Sequence, residues 1–313
     1  MAACRRLITA CLLAAAAVVA NTGCQSVLRN GPSVVLPGDE IIVAGQRFHT
    51  GTRVVTWLES GGYNAYAGQP PLRPRQSRVA GKNQVVAPPR DWDLPALQEI
   101  VDQFVLHYDG SGTSALCFNA LRSRQLSVHF LLDVDGTVYQ TLDLREKADH
   151  ATSSNSRSIG VEIAQIGAYP TDASEPLAEW YRKNADGTTQ LTIPARIRNS
   201  GVMTPGFLGR PARPELMVGS IQNRPLVQYD FTPEQYASLV RLTAALCRVF
   251  PRLRCDYPHR WFDREPIALK LSERQLVWYH GVLGHYHLQE NKIDPGPAFD
   301  WRRFRSEVRR ELR

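Results

Sequence analysis

Between Gly284 and Gly296 the chain sets two imidazoles, an ammonium and carboxylates within thirteen residues: Gly284-His285-Tyr286-His287-Leu288-Gln289-Glu290-Asn291-Lys292-Ile293-Asp294-Pro295-Gly296. So dense a polar cluster is costly to bury unless something binds there. Neutral imidazoles and a carboxylate suit zinc, and a catalytic zinc takes three protein ligands and keeps its fourth position open. This segment offers a histidine and an aspartate. The third ligand must come from elsewhere, and His107 in Phe104-Val105-Leu106-His107-Tyr108 is the best candidate.

Those residues need a frame. Phe104 to Tyr108 reads as a buried strand that ends beside His107. Ser114 to Arg124 has helical spacing, with Leu116, Phe118 and Leu121 apolar. Val128–Leu132 and Thr137–Leu142 flank Asp135-Gly136, a strong hairpin signal. Ile159, Val161 and Ile163 alternate with Gly160, Glu162 and Ala164, which puts Glu162 on the opposite face of its strand from the apolar side chains. Thr232-Pro233-Glu234-Gln235 starts a helix with an N-cap, a proline in the first turn and a glutamine to close a capping box. Tyr236, Leu239, Val240, Leu246 and Cys247 then line one helical face. A basic terminal helix is expected over 301–313.

Other segments are less regular. Short apolar runs over 41–66 suggest a hairpin. Residues 68–95, rich in Pro, Arg and Gln, read as an extended surface segment, so the main domain is expected from residue 96. Residues 168–225 are rich in Pro, Gly, Arg and Asn with weak periodicity. They read as a long insertion between core elements, and such loops are commonly functional or disordered.

Taken together, His107, Glu162, His285, Lys292 and Asp294 resemble the site of the type 2 N-acetylmuramoyl-L-alanine amidases, which share a fold with peptidoglycan recognition proteins. Asn155-Ser156-Arg157-Ser158-Ile159-Gly160-Val161-Glu162 is similar to that family's N-x-x-S-I-G-[IV]-E. Lys292 to Trp301 resembles its K-x-D-P-G-P-x-F-x-W, and Ser127–Phe130 with Asp135–Gln140 match its central hairpin. The resemblance covers roughly residues 100–166 and 226–301. It implies an α/β fold: a central mixed β-sheet flanked by helices, with the insertion at 168–225. It implies one zinc per chain on His107, His285 and Asp294. Glu162 would be general base to the attacking water and then acid to the leaving amine. Lys292 would stabilise the oxyanion, and His150 with Asn155 would contact substrate. The interval from His285 to Asp294 is nine residues, one fewer than the resemblance leads one to expect. That makes His287 a rival ligand, although His285 follows Gly284 as the family's histidine does. His129 reads as structural, and the six tryptophans as core and rim.

The activity implied is hydrolysis of the amide between the lactyl group of N-acetylmuramic acid and L-alanine, in peptidoglycan or its muropeptide fragments. The rival function is a non-catalytic peptidoglycan-binding module on the same fold. Such modules typically lack zinc ligands, and here all three are present. A zinc peptidase of another type is disfavoured by the absence of H-E-x-x-H.

Composition sets the context. At 313 residues and 43% hydrophobic, the chain can bury a proper core. Arg5 and Arg6 precede an apolar run from Leu7 to Ala20, and residues 1–24 read as an export signal whose apolar core is short for a membrane span. Gly23-Cys24 resembles the end of a bacterial lipoprotein signal, which makes Cys24 a lipidation site and residues 25–40 a tether. This points to the bacterial envelope: the periplasm, with an outer-membrane anchor. It also brings the envelope members of the family closer than the cytosolic recycling enzymes. The net charge is +7, falling to about +5 after cleavage, a modest excess that fits an anionic wall or lipid surface and does not single out nucleic acid. No aromatic-basic ladder of the nucleic-acid kind is present. In an exported chain, Cys247 and Cys255 are close enough in sequence for a disulfide.

Overall fold

The structure, a computed structural model, describes residues 38–68, 71–75, 77–78, 85–86 and 92–313. The expected export signal and Cys24 lie outside the described residues.

A six-stranded sheet organises the chain. Its order is Gly281–Gly284, Gln103–Tyr108, Ser158–Ile163, Phe130–Leu132, Val138–Gln140 and Val54–Thr56. The first four strands run parallel, the Phe130–Leu132 and Val138–Gln140 pair is an antiparallel hairpin, and Val54–Thr56 lies parallel to Val138–Gln140. The hairpin turns at Gly136, with φ +81°. A Cβ there would sit 2.8 Å from the Glu234 carbonyl oxygen, so glycine alone fits both the conformation and the close approach.

Alternation along the strands sorts the two faces. Phe104, Leu106, Ile159, Val161, Phe130, Leu132 and Val138 pack with Leu97, Tyr236, Leu239, Leu246, Phe304 and Val308 in one large core. Three helices cover this face: Leu94–Ile100, Pro233–Val249 and Trp301–Glu311. Each large side chain buried there contributes about 1.5–3 kcal/mol. The opposite face is covered in two pieces. Cys117 and Leu121 of the Ser114–Ser123 helix pack on Val55, Leu131 and Tyr139. Leu271, Leu276 and Leu288 pack on Val105 and Leu283. His107 and Glu162 lie on this second face, on the two strands between those patches.

The Thr232 capping box forms as expected, with Thr232 Oγ1 accepting from Gln235 N and Gln235 Oε1 accepting from Thr232 N. Two expectations change. The N-terminal region is not peripheral to the domain expected from residue 96. Glu40–Val43 and Gln46–His49 do form a hairpin, but Val54–Thr56 joins the main sheet. Further on, the Arg75 side chain is fully buried. Its guanidinium donates to the carbonyls of Leu144, Ser158 and Ser156 at 2.9, 2.9 and 3.2 Å, and burial pulls its pKa down to about 9. The stretch at 168–225 is not structureless either. It contains the helix Glu175–Trp180 and the ribbon Tyr181–Lys183 with Thr189–Leu191. It also supplies two strands of a three-stranded antiparallel sheet, Tyr169–Pro170 and Met217–Ile221, which flank Arg224–Gln228. Leu177, Trp180, Tyr181 and Leu191 pack on Val134, Ala164, Ile166 and Val227.

Candidate active site

Parallel strands bring the site residues together. His107 is the fifth residue of Gln103–Tyr108. Glu162 is its in-register neighbour on one side, and His285 follows directly after Gly281–Gly284 on the other. The side chains thus gather toward the carboxyl ends of adjacent parallel strands, where open α/β sheets form their crevices. Asp294 arrives by a folded loop. Gln289 N donates to His285 O, Lys292 N to Gln289 O, and Tyr286 N to Asp294 O, each at 3.2 Å.

His107 Nδ1 and His285 Nδ1 are 2.9 Å apart, and they lie 2.9 and 3.0 Å from Asp294 Oδ2. Among the described residues these are the one group of three or more His, Cys, Asp or Glu whose donor atoms gather this closely. Two imidazole nitrogens and a carboxylate oxygen packed so tightly repel one another unless protons or a cation lie between them. Donors about 2.0–2.1 Å from a tetrahedral zinc stand about 3.3 Å apart, so the set needs to open by only a few tenths of an ångström to hold one. All three residues are buried. The residues present therefore fit a zinc ion.

The electrostatics follow from burial and proximity. Burial, reinforced by His285, lowers the His107 pKa to about 4, so the ring is neutral and available as a ligand. Burial alone would raise Asp294, but His285 beside it and hydrogen bonds with His107 and His285 hold it well below the usual carboxylate range. Glu162 moves the other way: burial, then the neighbouring charges of Asp294 and Asp109, push its carboxyl well above the ordinary value, against the pull of Lys292. The Lys292 side chain forms no ion pair among the described residues.

His287 does not join this cluster. It accepts from Gly284 N through Nδ1 at 2.9 Å and donates through Nε2 to Ile267 O at 2.8 Å. It thereby fixes the loop that presents His285. His150 and Asn155, expected at the substrate, are hydrogen-bonded within the protein. Both ring nitrogens of His150 are engaged, Nδ1 with His107 Nε2 at 3.0 Å and Nε2 with Ser158 Oγ at 3.3 Å. Asn155 Oδ1 accepts from the backbone nitrogens of His150 and Ala151, and its Nδ2 donates to Asp149. The expected Cys247–Cys255 disulfide is not formed. Both are free thiols, and Cys255 Sγ contacts the Arg305 carbonyl at 3.8 Å.

Two supporting residues were not singled out from the sequence. Gln289 Oε1 accepts from His285 Nε2 at 2.6 Å, which leaves Nδ1 free for the site. Gln228 is fully buried and grips the loop after Asp294: its Nε2 donates to Pro295 O at 3.1 Å, and its Oε1 accepts from Ala298 N at 3.0 Å. The i, i+4 spacing of His285 and Gln289 was a readable signal. Gln228 gave none.

Residues 97–297, well over half of the chain, match the family described as N-acetylmuramoyl-L-alanine amidase. No curated protein matches the chain. Similar solved structures include the N-acetylmuramoyl-L-alanine amidase LysC from Clostridium intestinale URNW, 12% identical over 68% of this chain and 88% of that one, with a TM-score of 0.35. Another is AmiD from E. coli in complex with anhydro-N-acetylmuramic acid-L-Ala-D-gamma-Glu-L-Lys, 15% identical over 74% of this chain and 65% of that one, TM-score 0.36. A third is AmpD, 17% identical over 67% and 86%, TM-score 0.33. The family match, not these distant likenesses, carries the assignment.

Proposed function

Because the chain belongs to the N-acetylmuramoyl-L-alanine amidase family, we propose that it is a zinc-dependent amidase that cleaves the bond between the lactyl group of N-acetylmuramic acid and L-alanine in peptidoglycan or its fragments. The observation that carries this reading is the convergence of His107 Nδ1, His285 Nδ1 and Asp294 Oδ2 to within 3.0 Å. One zinc held there would polarise the amide carbonyl and make water acidic enough to lose a proton near neutral pH.

The chain's own groups supply the rest. Glu162, in register beside His107, accepts the proton of the attacking water and returns it to the leaving amine. A carboxyl raised above its ordinary pKa suits both halves of that task. Lys292 places positive charge near the carbonyl oxygen as it becomes anionic, a contact worth about 3 kcal/mol by comparison with single oxyanion donors. Water adds across the amide, the C–N bond breaks, and the products are a lactyl carboxylate and a free L-alanyl amine. The same reading puts the chain in the bacterial envelope, anchored through Cys24.

Mass spectrometry of muropeptides digested with zinc-loaded protein is the test. Release of intact stem peptides with free N-terminal alanine, lost on chelation and restored by zinc, is expected. Muropeptides that bind and stay uncleaved would instead favour a recognition module.

A further inference from the structure

We propose that His150 is a positioning residue for His107, and that the Asn155–Glu162 stretch is built to hold it there. This rests on the zinc reading above but concerns groups behind the metal-facing atoms. If His107 presents Nδ1 to the metal, its ring proton sits on Nε2 and donates to His150 Nδ1 at 3.0 Å. That fixes the second ring too: the His150 proton sits on Nε2 and points at Ser158 Oγ, 3.3 Å away. Ligand histidines depend on such partners for tautomer and ring orientation.

The strand explains the rest of the motif. Ser158, Gly160 and Glu162 share one face of Ser158–Ile163. Ser158 ends the relay. Gly160 clears room for the imidazole, since a Cβ there would lie 2.5 Å from His150 Cε1 and Nδ1. Glu162 then stands beside His107. Asn155 clamps the backbone of His150 and Ala151 from below. The Gly160 N–H donates to His129 Nδ1, whose ring packs edge-on against His150 at 5.8 Å between centroids. Arg75 donates to the Ser158 carbonyl, pinning the far end of the relay. Every polar atom of the His150 ring is used inside the protein, so its contribution to turnover runs through His107.

The experiment measures zinc affinity by chelator competition, alongside thermal unfolding of metal-free protein, for wild type and for His150→Ala, His150→Gln, Ser158→Ala and Gly160→Ala. His150→Ala and Gly160→Ala should bind zinc about 10–100-fold more weakly. His150→Gln should recover much of the loss, because its amide oxygen can accept from His107 Nε2. KM for a muropeptide should stay unchanged in zinc-saturated His150→Gln. Unchanged zinc affinity in His150→Ala, or a raised KM with zinc affinity intact, overturns the proposal. Two-bond ¹H–¹⁵N spectra of the histidines in zinc-loaded wild type read the relay without any variant. Nδ1 of His150 should be bare and Nε2 protonated, and the opposite tautomer overturns it even if variants fail to fold. Wild type that takes up no zinc would defeat the metal reading, a result distinct from either of these.

Discussion

Gln228→Ala tests whether the floor of the site is held by side-chain amide bonds. Gln228 lies on Arg224–Gln228, outside the main sheet, and both ends of its amide are spent on the loop that carries Asp294. Truncation strands the Pro295 carbonyl and the Ala298 amide in a site where Gln228 is 0% exposed. Each orphaned backbone group costs about 1–3 kcal/mol. Water admitted to the vacated space recovers part of that, leaving about 3 kcal/mol in total. At about 2–4 °C per kcal/mol, metal-free protein should melt roughly 6–12 °C lower. Gln228→Met fills the space without the hydrogen bonds and should fall almost as far, which separates bonding from packing. Zinc at 100 times its dissociation constant stabilises a folded protein by about 2.7 kcal/mol. At the same free zinc the variants should gain less, because Asp294 is no longer held in place. Calorimetric melting with and without zinc measures both effects. If both variants melt within about 2 °C of wild type, the loop is held by something else and the reasoning fails.

Four further outcomes are expected. Glu162→Gln should keep zinc and still bind muropeptides while kcat falls about 10²–10⁴-fold, and turnover at the wild-type rate would remove Glu162 from the mechanism. Gln289→Ala should weaken zinc binding about 10–100-fold by releasing His285 Nε2, checked by chelator competition. His129 is buried and faces the Arg75 cation, and these hold its pKa well below 6.5. With the folded value depressed, its share of stability is complete above pH about 6.5 and is lost as pH falls below that. His129→Gln should therefore start less stable but lose less on acidification from pH 7.5 to 5, and parallel melting curves would contradict this. Intact-mass measurement of protein from its native envelope should find an acyl group on Cys24, and an unmodified, freely soluble form would count against the anchor.

The site was legible where its chemistry is local. His285, Lys292 and Asp294 fall within one short segment, while Glu162, on an alternating strand, is singled out only by the resemblance of Asn155–Glu162 to the family motif. His107 came from outside that segment because a zinc needs a third ligand and a buried strand carries this histidine near its end. What escaped depends on which strands lie side by side. The bond between His107 and His150 escaped because nothing local says that parallel pairing of Gln103–Tyr108 with Ser158–Ile163 would bring His107 Nε2 to the His150 ring. Gln228 and Arg75 act across 67 and 69–83 residues of sequence, beyond the reach of any spacing rule. The strand Gly281–Gly284 has two glycines in four residues and weak intrinsic preference, so its neighbours impose it. The turn at Gln222-Asn223 was hidden for a similar reason. Both residues adopt positive φ without the glycine that usually announces such a hairpin. The Cys247–Cys255 spacing permitted a bridge, but spacing says nothing of where a helix and the following loop point their thiols.

The buried guanidinium of Arg75 separates two boundaries that are easily conflated. The stretch recognisable by descent begins at residue 97, whereas the stretch that must be present for the interior to be saturated with donors begins earlier. A clone trimmed to the recognisable stretch would carry away Arg75 and leave the carbonyls of Leu144, Ser156 and Ser158 facing a hole shaped like an arginine. The smallest working piece of this protein is therefore larger than its kinship suggests.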